Sequence, residues 1–164
     1  MNLKELLLPE FEHEIALTEK VINRVPADKL DWQPHEKSMS MKQLVNHLAE
    51  MPSWVNGTLD VDEIDVSNYQ PVENDTLEGA MATLKENTKK AVASLKASNN
   101  ADYSKDWAMK KGKDVLIKMS KYNVLRTMVF NQLPHHRAQL GVYLRLLDVP
   151  VPATYGPSAD ENPM

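Results

Sequence analysis

The stretch SKYNVLRTMVFNQLPHHRAQLGVYLRLL (residues 120–147) decides the fold, because it joins an amphipathic helical pattern to polar residues in the middle of its apolar face. Ser120 is a typical N-cap, and the spacing predicts a helix over residues 121–147. At about 100° per residue, six side chains share one face: Leu125, Met128, Gln132, His136, Gln139 and Tyr143. Buried polar groups need partners, so we expect this helix to contribute to a site.

Pro134 interrupts this helix beside two histidines. It removes one backbone N–H, so the carbonyl of Phe130 loses its usual partner and we predict a local bend. Adjacent residues lie about 100° apart on a regular helix. We therefore expect His136 to point inward and His135 to lie at the rim of the site.

Two further helices are predicted in the first third of the chain. Apolar residues at steps of three and four predict a first helix over residues 3–24, closed by Pro26. Ser40 and the glutamine three residues later form a capping box, which opens a second helix over residues 41–56. Pro52 is a candidate kink within it.

The remaining segments complete the predicted fold. Residues 57–75 are acidic and turn-rich and are predicted to be a loop. Asp75 or Thr76 can cap a third helix, whose apolar stripe is Leu77, Met81, Leu84, Ala91 and Leu95. Two short runs around Gly112 predict a hairpin or extended crossover before the last helix. The tail contains Pro and Gly, and we expect it to fold back over the helices.

Composition narrows the class of protein. The chain has 164 residues, of which 42% are hydrophobic and 26% charged, which is typical of one globular domain over residues 1–164. Four amphipathic helices without a convincing sheet predict an all-α four-helix bundle. It has no apolar run long enough to span a bilayer and no signal-like start, which predicts a cytoplasmic protein without a membrane partner. A net charge of −4 argues against nucleic acid as a partner. With no cysteine, any metal needs His, carboxylate or amide ligands.

Two histidines on different helices form the candidate site. His47 shares one face of the second helix with three apolar residues, Leu44, Met51 and Trp54. Glu50 lies at the edge of that face, and Gln132 lies one turn before His136 on the last helix. These residues would supply two nitrogen ligands to a divalent metal and leave positions open for water. The alternative from the sequence is a pair of core histidines satisfied by hydrogen bonds.

Two segments carry a family resemblance: NQLPHHRAQLGVYLRLLDVPVPATYGPSADE (residues 131–161) and WQPHEKSMSMKQLVNHLAE (residues 32–50). The chain resembles the DinB/YfiT-like superfamily of metal-dependent proteins over its whole length. The likeness is most specific in HHR-x-QL-x-x-YLR (residues 135–145) and in YGPSAD (residues 155–160). The resemblance implies an up-down-down-up four-helix bundle, often homodimeric, with zinc or nickel at its middle.

The resemblance also implies a ligand set. The family's metal ligands are one His on the second helix and a His-x-x-x-His pair on the fourth. Carried over to this sequence, they fall on His47, Gln132 and His136. Gln132 departs from the family pattern. An amide oxygen is a weaker zinc ligand than imidazole. We therefore expect either a site that holds a divalent metal or a metal-free site.

Two hypotheses follow for function. The first is a metal-dependent enzyme of hydrolase or small-thiol transferase type, in which Glu50 or Tyr155 handles the proton. The second is a non-catalytic small-ligand-binding or stress-response module of the same fold. Either one predicts a small-molecule substrate or ligand, such as a low-molecular-weight thiol, and the resemblance implies a homodimer.

Overall fold

The computed structural model describes residues 2–162, and the described chain is mainly helical, as predicted. The α-helices are α1 (Leu3–Ile22), α2 (Met41–Glu50), α3 (Ser53–Leu59), α4 (Leu77–Ala97), α5 (Asn100–Ser104), α6 (Lys121–Leu125) and α7 (Gln132–Leu146). The strands are β1 (Glu63–Asp65), β2 (Asp106–Lys111) and β3 (Asp114–Ser120). A 3-10 helix (Ala27–Lys29) and a π-helical segment (Arg126–Phe130) complete the described elements. Within residues 2–162, every helix is too short or too polar to cross a membrane.

The long helices enclose one apolar core. Both α1 and α2 pack against α4 and α7, and α3 packs against α4. The core contains large, fully buried side chains from these helices and from α6, including Phe11, Met41, Leu44, Leu48, Leu84, Leu95, Leu125 and Leu133. The up-down-down-up layout of the helices stays a prediction. The single domain over residues 1–164 also stays a prediction, and its residues 1, 163 and 164 lie outside the described part.

Pro52 divides the predicted second helix into α2 and α3. It has no N–H, so it cannot donate the backbone hydrogen bond that would continue the helix to Leu48. Met51 and Pro52 nevertheless keep right-handed helical backbone angles, so the chain continues directly into α3. The helical hydrogen bonding is interrupted at the position of the predicted kink, and the second helical segment ends at Leu59, three residues later than predicted. The first helix ends two residues earlier than predicted, at Ile22.

A small three-stranded sheet corrects the all-α prediction. The predicted hairpin is present: β2 and β3 pair antiparallel, and Gly112 begins their two-residue turn with a φ of 61° that favours glycine. The predicted loop 57–75 contains the end of α3 and strand β1, which pairs parallel to β2 with Glu63 opposite Ala108. A three-residue strand is defined by its distant partner, and the local pattern cannot reveal that partner.

Trp107 attaches the sheet to the helices. Its side chain is fully buried, and its indole N–H donates a 2.9 Å hydrogen bond to the carbonyl of Gly57 on α3. A Cβ at Gly57 would lie 3.0 Å from Cδ1 of Ile64 on β1, so any larger residue there would require the Ile64 side chain to shift. The sheet therefore packs on the end of α3.

The predicted fourth helix is present but irregular before the histidines. Ser120 caps α6, as predicted. Between α6 and α7 the chain forms a π-helical turn, in which the N–H of Asn131 donates to the carbonyl of Arg126 at 2.9 Å. The irregular turn contains Phe130, whose carbonyl has no N–H donor at Pro134. The predicted distortion is confirmed, although its π-helical form was not predicted.

The C-terminal tail returns over α1 and α7, as predicted. Glu161 forms ion pairs with Lys20, at 2.7 Å, and with Arg24 on α1. Asp160 pairs with Arg145 on α7, and Ala153 is buried beneath the returning chain.

Candidate functional site

The structure brings His47 and His136 together. Their ring centroids lie 4.6 Å apart, and the ring planes meet at 84°. Each ring is held by its own helix: Leu44 and Leu48 anchor α2 in the core, and Leu133 does the same for α7. Two core helices therefore present two imidazoles to one point.

Burial keeps both imidazoles uncharged near neutral pH. It lowers the pKa of His47. Burial is also the main cause that lowers the pKa of His136, and the neighbouring charges of His47 and His135 add to it, whereas the hydrogen bond with Gln139 opposes it. A neutral imidazole is the form that binds a metal ion, because its lone pair is free.

Gln139 fixes the tautomer of His136. Its side-chain oxygen lies 2.7 Å from Nδ1 of His136, and an amide oxygen can only accept a hydrogen bond. Nδ1 therefore carries the proton, and Nε2 has the free lone pair. Metal-binding histidines are commonly oriented in this way, by a second partner on the other ring nitrogen.

The third predicted metal ligand is Gln132, whose amide oxygen binds zinc more weakly than an imidazole does. Gln132 is half-buried at the start of α7, one turn before His136. His135 is exposed at the rim, and its ring centroid lies 4.7 Å from that of His136. Within residues 2–162, no three or more His, Cys, Asp or Glu side chains form a group that could hold a metal. The protein donors that remain are two imidazoles and one amide.

The ring spacing of His47 and His136 is one that two ligands of a single metal ion can adopt. Imidazoles bound to one zinc ion through bonds of about 2.0–2.1 Å have ring centres about 5 Å apart. The 4.6 Å separation of His47 and His136 agrees with that geometry. Gln132 would be the weak member of such a set, because its amide oxygen is neutral.

A carboxyl group lies on α2, about one helical turn after His47. Glu50 follows His47 by three residues on α2 and is only 8% exposed. The hydroxyl of Tyr69 donates a 2.8 Å hydrogen bond to its Oε2. Burial, followed by this hydrogen bond, raises the pKa of Tyr69 far above its usual range. Tyr69 therefore stays an O–H donor at physiological pH.

Tyr69 was missed by the sequence analysis. It lies between β1 and α4, in the acidic stretch predicted as a loop. The available signal was that it is the only aromatic residue between positions 57 and 75. Loops carry functional residues often enough to make a lone aromatic there worth considering.

A cavity of about 690 Å³ adjoins His47 and Glu50. It lies between α2 and the chain that leads into α4, and polar residues form much of its wall: Gln33, Ser40, Lys42, Gln43, Asn46, Tyr69 and Asn74. This volume is typical of small-molecule sites. The cavity gives a ligand access to His47 and to the carboxyl group.

Tyr155 lies elsewhere. Its hydroxyl donates to the carboxylate of Glu14 at 2.7 Å and accepts a 2.6 Å hydrogen bond from Arg137. Burial, with the bond to Glu14, raises the pKa of Tyr155. It lines a separate cavity of about 370 Å³, whereas His47 lines the larger one. The structure thus places His47 beside His136, puts His47 and Glu50 in the wall of the larger cavity, and leaves Tyr155 in a different network.

Comparisons with known proteins agree with this architecture. A sequence model of the DinB family matches residues 1–163. A DinB-like protein from Bacillus cereus superimposes with a TM-score of 0.69 at 18% identity, over 90% of this chain and 95% of that one. A DinB-like protein from Bacillus subtilis, YjoA, gives 0.68 at 20% identity, over 87% and 92%. No curated protein matches the sequence. Because the family match spans nearly the whole sequence, this chain belongs to the DinB family.

Proposed function

We propose that this protein is a metal-dependent enzyme of hydrolase or small-thiol transferase type, with one divalent ion, zinc or nickel, held by His47 and His136 in the middle of a four-helix bundle. The observation that carries the proposal is the pair of imidazoles, whose ring centroids lie 4.6 Å apart, beside a cavity of about 690 Å³. A bound ion of this kind lowers the pKa of a water or thiol that it contacts.

The surrounding residues have distinct roles in this proposal. Gln139 orients His136 through Nδ1, so that Nε2 faces the site. Gln132 supplies an amide oxygen from the preceding turn. Glu50 accepts the proton of the nucleophile, and the hydroxyl of Tyr69 holds its carboxylate in place. We assign no proton transfer to Tyr155, because it lines a different cavity.

Metal content tests the proposal. Protein purified without chelator is expected to contain about one zinc or nickel ion per chain by elemental analysis. His136→Ala removes one of two nitrogen ligands, so it should weaken metal affinity about tenfold or more. His13→Ala is the control, since His13 is exposed on α1, away from the pair. Wild-type protein that neither contains nor takes up either metal would exclude the proposal.

A second candidate is a non-catalytic small-ligand-binding or stress-response module. The absence of a three-member group of His, Cys or acidic side chains within residues 2–162 favours it. A ligand that binds only the folded state raises the melting temperature. A shift with a small thiol in metal-free protein, without any shift with zinc or nickel, would favour this candidate over the first. The cytoplasmic location and the homodimer stay predictions under either one.

A further inference from the structure

A third cavity adjoins Glu50. It has a volume of about 320 Å³ and shares Glu50 and Tyr69 with the larger cavity. Its walls also include Trp54 at the start of α3 and Asp65 at the end of β1. Among the described residues that line it, two are aromatic, two are acidic and none is basic.

The two rings form a corner. The ring centroids of Trp54 and Tyr69 lie 6.4 Å apart, with the planes tilted by 53°. Trp54 is half-buried, and Tyr69 is 44% exposed, so a ligand can reach both rings. The faces of Trp and Tyr carry negative charge density and attract cations that approach within about 6 Å of the ring centre. Both rings line the same cavity, so one cation bound there can contact both.

Glu50 is a buried acidic residue with no cationic partner among residues 2–162. It is 8% exposed, and the hydroxyl of Tyr69 is its hydrogen-bond donor. Within residues 2–162, no lysine, arginine or histidine lies within ion-pairing distance of its carboxylate. Buried charges in proteins are ordinarily paired, so a cation supplied from outside would complete this site.

No lysine or arginine among residues 2–162 lines the corner. Lys110, whose charge acts on Asp65, is itself ion-paired with Glu63. Asp65 also accepts hydrogen bonds from the backbone N–H groups of Ser67, at 2.9 Å, and Gly112, at 3.2 Å, which hold it at the edge of the cavity. The negative wall is therefore fixed in position and open to a ligand.

We propose that the corner formed by Trp54, Tyr69, Glu50 and Asp65 binds an organic ammonium group of a small-molecule ligand. The rings contact the cation, and Glu50 supplies the buried opposite charge. Because Glu50 also lines the larger cavity, the rest of the ligand can extend from the ammonium group toward His47. The inference does not rest on a bound metal.

Calorimetric titration of the full chain tests it. The probes are choline, ethanolammonium and 3,3-dimethylbutan-1-ol, which has the shape of choline without its charge. We expect choline or ethanolammonium to bind and the neutral alcohol to give no heat of binding. Equal binding of the alcohol, or binding of neither cation, would overturn the proposal.

Variants locate the bound cation. Trp54→Leu and Glu50→Gln are each expected to lower the affinity about fivefold or more, as loss of a cation–π contact or of a buried opposite charge predicts. Trp32→Leu is the matched control, because Trp32 is also half-buried and lines neither cavity. Glu50→Gln nearly preserves the side-chain volume, so this variant tests the site if Trp54→Leu fails to fold. Folded variants with wild-type affinity would contradict the assignment.

Removal of the metal separates this inference from the proposed function. In the presence of EDTA, and in His136→Ala, the ammonium probes should bind with wild-type affinity. Loss of binding in both would contradict a site independent of the metal. Metal analysis of the wild type decides the proposed function separately, because the ammonium site needs no metal.

Discussion

Replacing Arg137 by methionine is expected to lower the free energy of unfolding by about 3–5 kcal/mol, because it leaves a buried carboxylate without its cation. The guanidinium of Arg137 is 3% exposed and lies 2.7 Å from the carboxylate of Glu14 on α1, which is 9% exposed. It also donates to the hydroxyl of Thr18 at 3.2 Å and to that of Tyr155 at 2.6 Å. One side chain thus joins α7 to α1 and to the tail.

Urea unfolding followed by circular dichroism measures this loss. Arg145→Met is the control on the same helix: its ion pair with Asp160 is much more exposed, so its loss should cost about 0–1 kcal/mol. Arg137→Met combined with Glu14→Leu should recover much of the stability, since removal of both charges leaves none unpaired. A loss below about 1 kcal/mol for Arg137→Met would mean that the charge of Glu14 is hydrated.

Replacing Gln132 by histidine is expected to raise zinc affinity on the order of 100-fold, because it exchanges a neutral amide oxygen for imidazole nitrogen. Gln132 lies one helical turn before His136, a spacing at which two side chains of a helix can reach the same ion. The site would then contain three histidines, with His47 from α2.

Competition with a zinc-binding dye measures the affinity. Gln70→His adds an imidazole on an exposed loop and is expected to leave the affinity unchanged. Gln132→His combined with His136→Ala should lose most of the gain, because both side chains act on one ion. If Gln132→His binds zinc no better than the wild type, then position 132 does not face the histidine pair.

The helices could be predicted because their information is local. The capping box at Ser40 and the side-chain cap at Thr76 each lie within three residues of the N–H that they satisfy. The sheet could not be predicted in full, because β1 gains its hydrogen bonds from β2, more than 40 residues later. Trp107 has no local pattern that distinguishes a buried anchor from an exposed aromatic residue.

The site residues could be predicted only where helical periodicity specifies the direction of a side chain. The periodicity of α2 and α7 placed His47 and His136 inside, and the structure brings their rings together. Tyr69 reaches Glu50 from a loop, where no periodicity specifies direction. The partnership of Tyr155 with Glu14 joins residues 141 positions apart, and helical spacing contains no information at that range.

The π-helical turn before α7 has a consequence for how this site can change by insertion or deletion. A π-helical turn accommodates one residue more than an α-helical turn, so it sets the rotational phase of every later side chain. Each residue added or removed there rotates α7 by about 100° relative to α6. One more residue would turn His135 toward His47, and one fewer would turn Arg137 toward it. Insertion or deletion of one codon upstream can thereby change which side chain meets His47, without any substitution within α7.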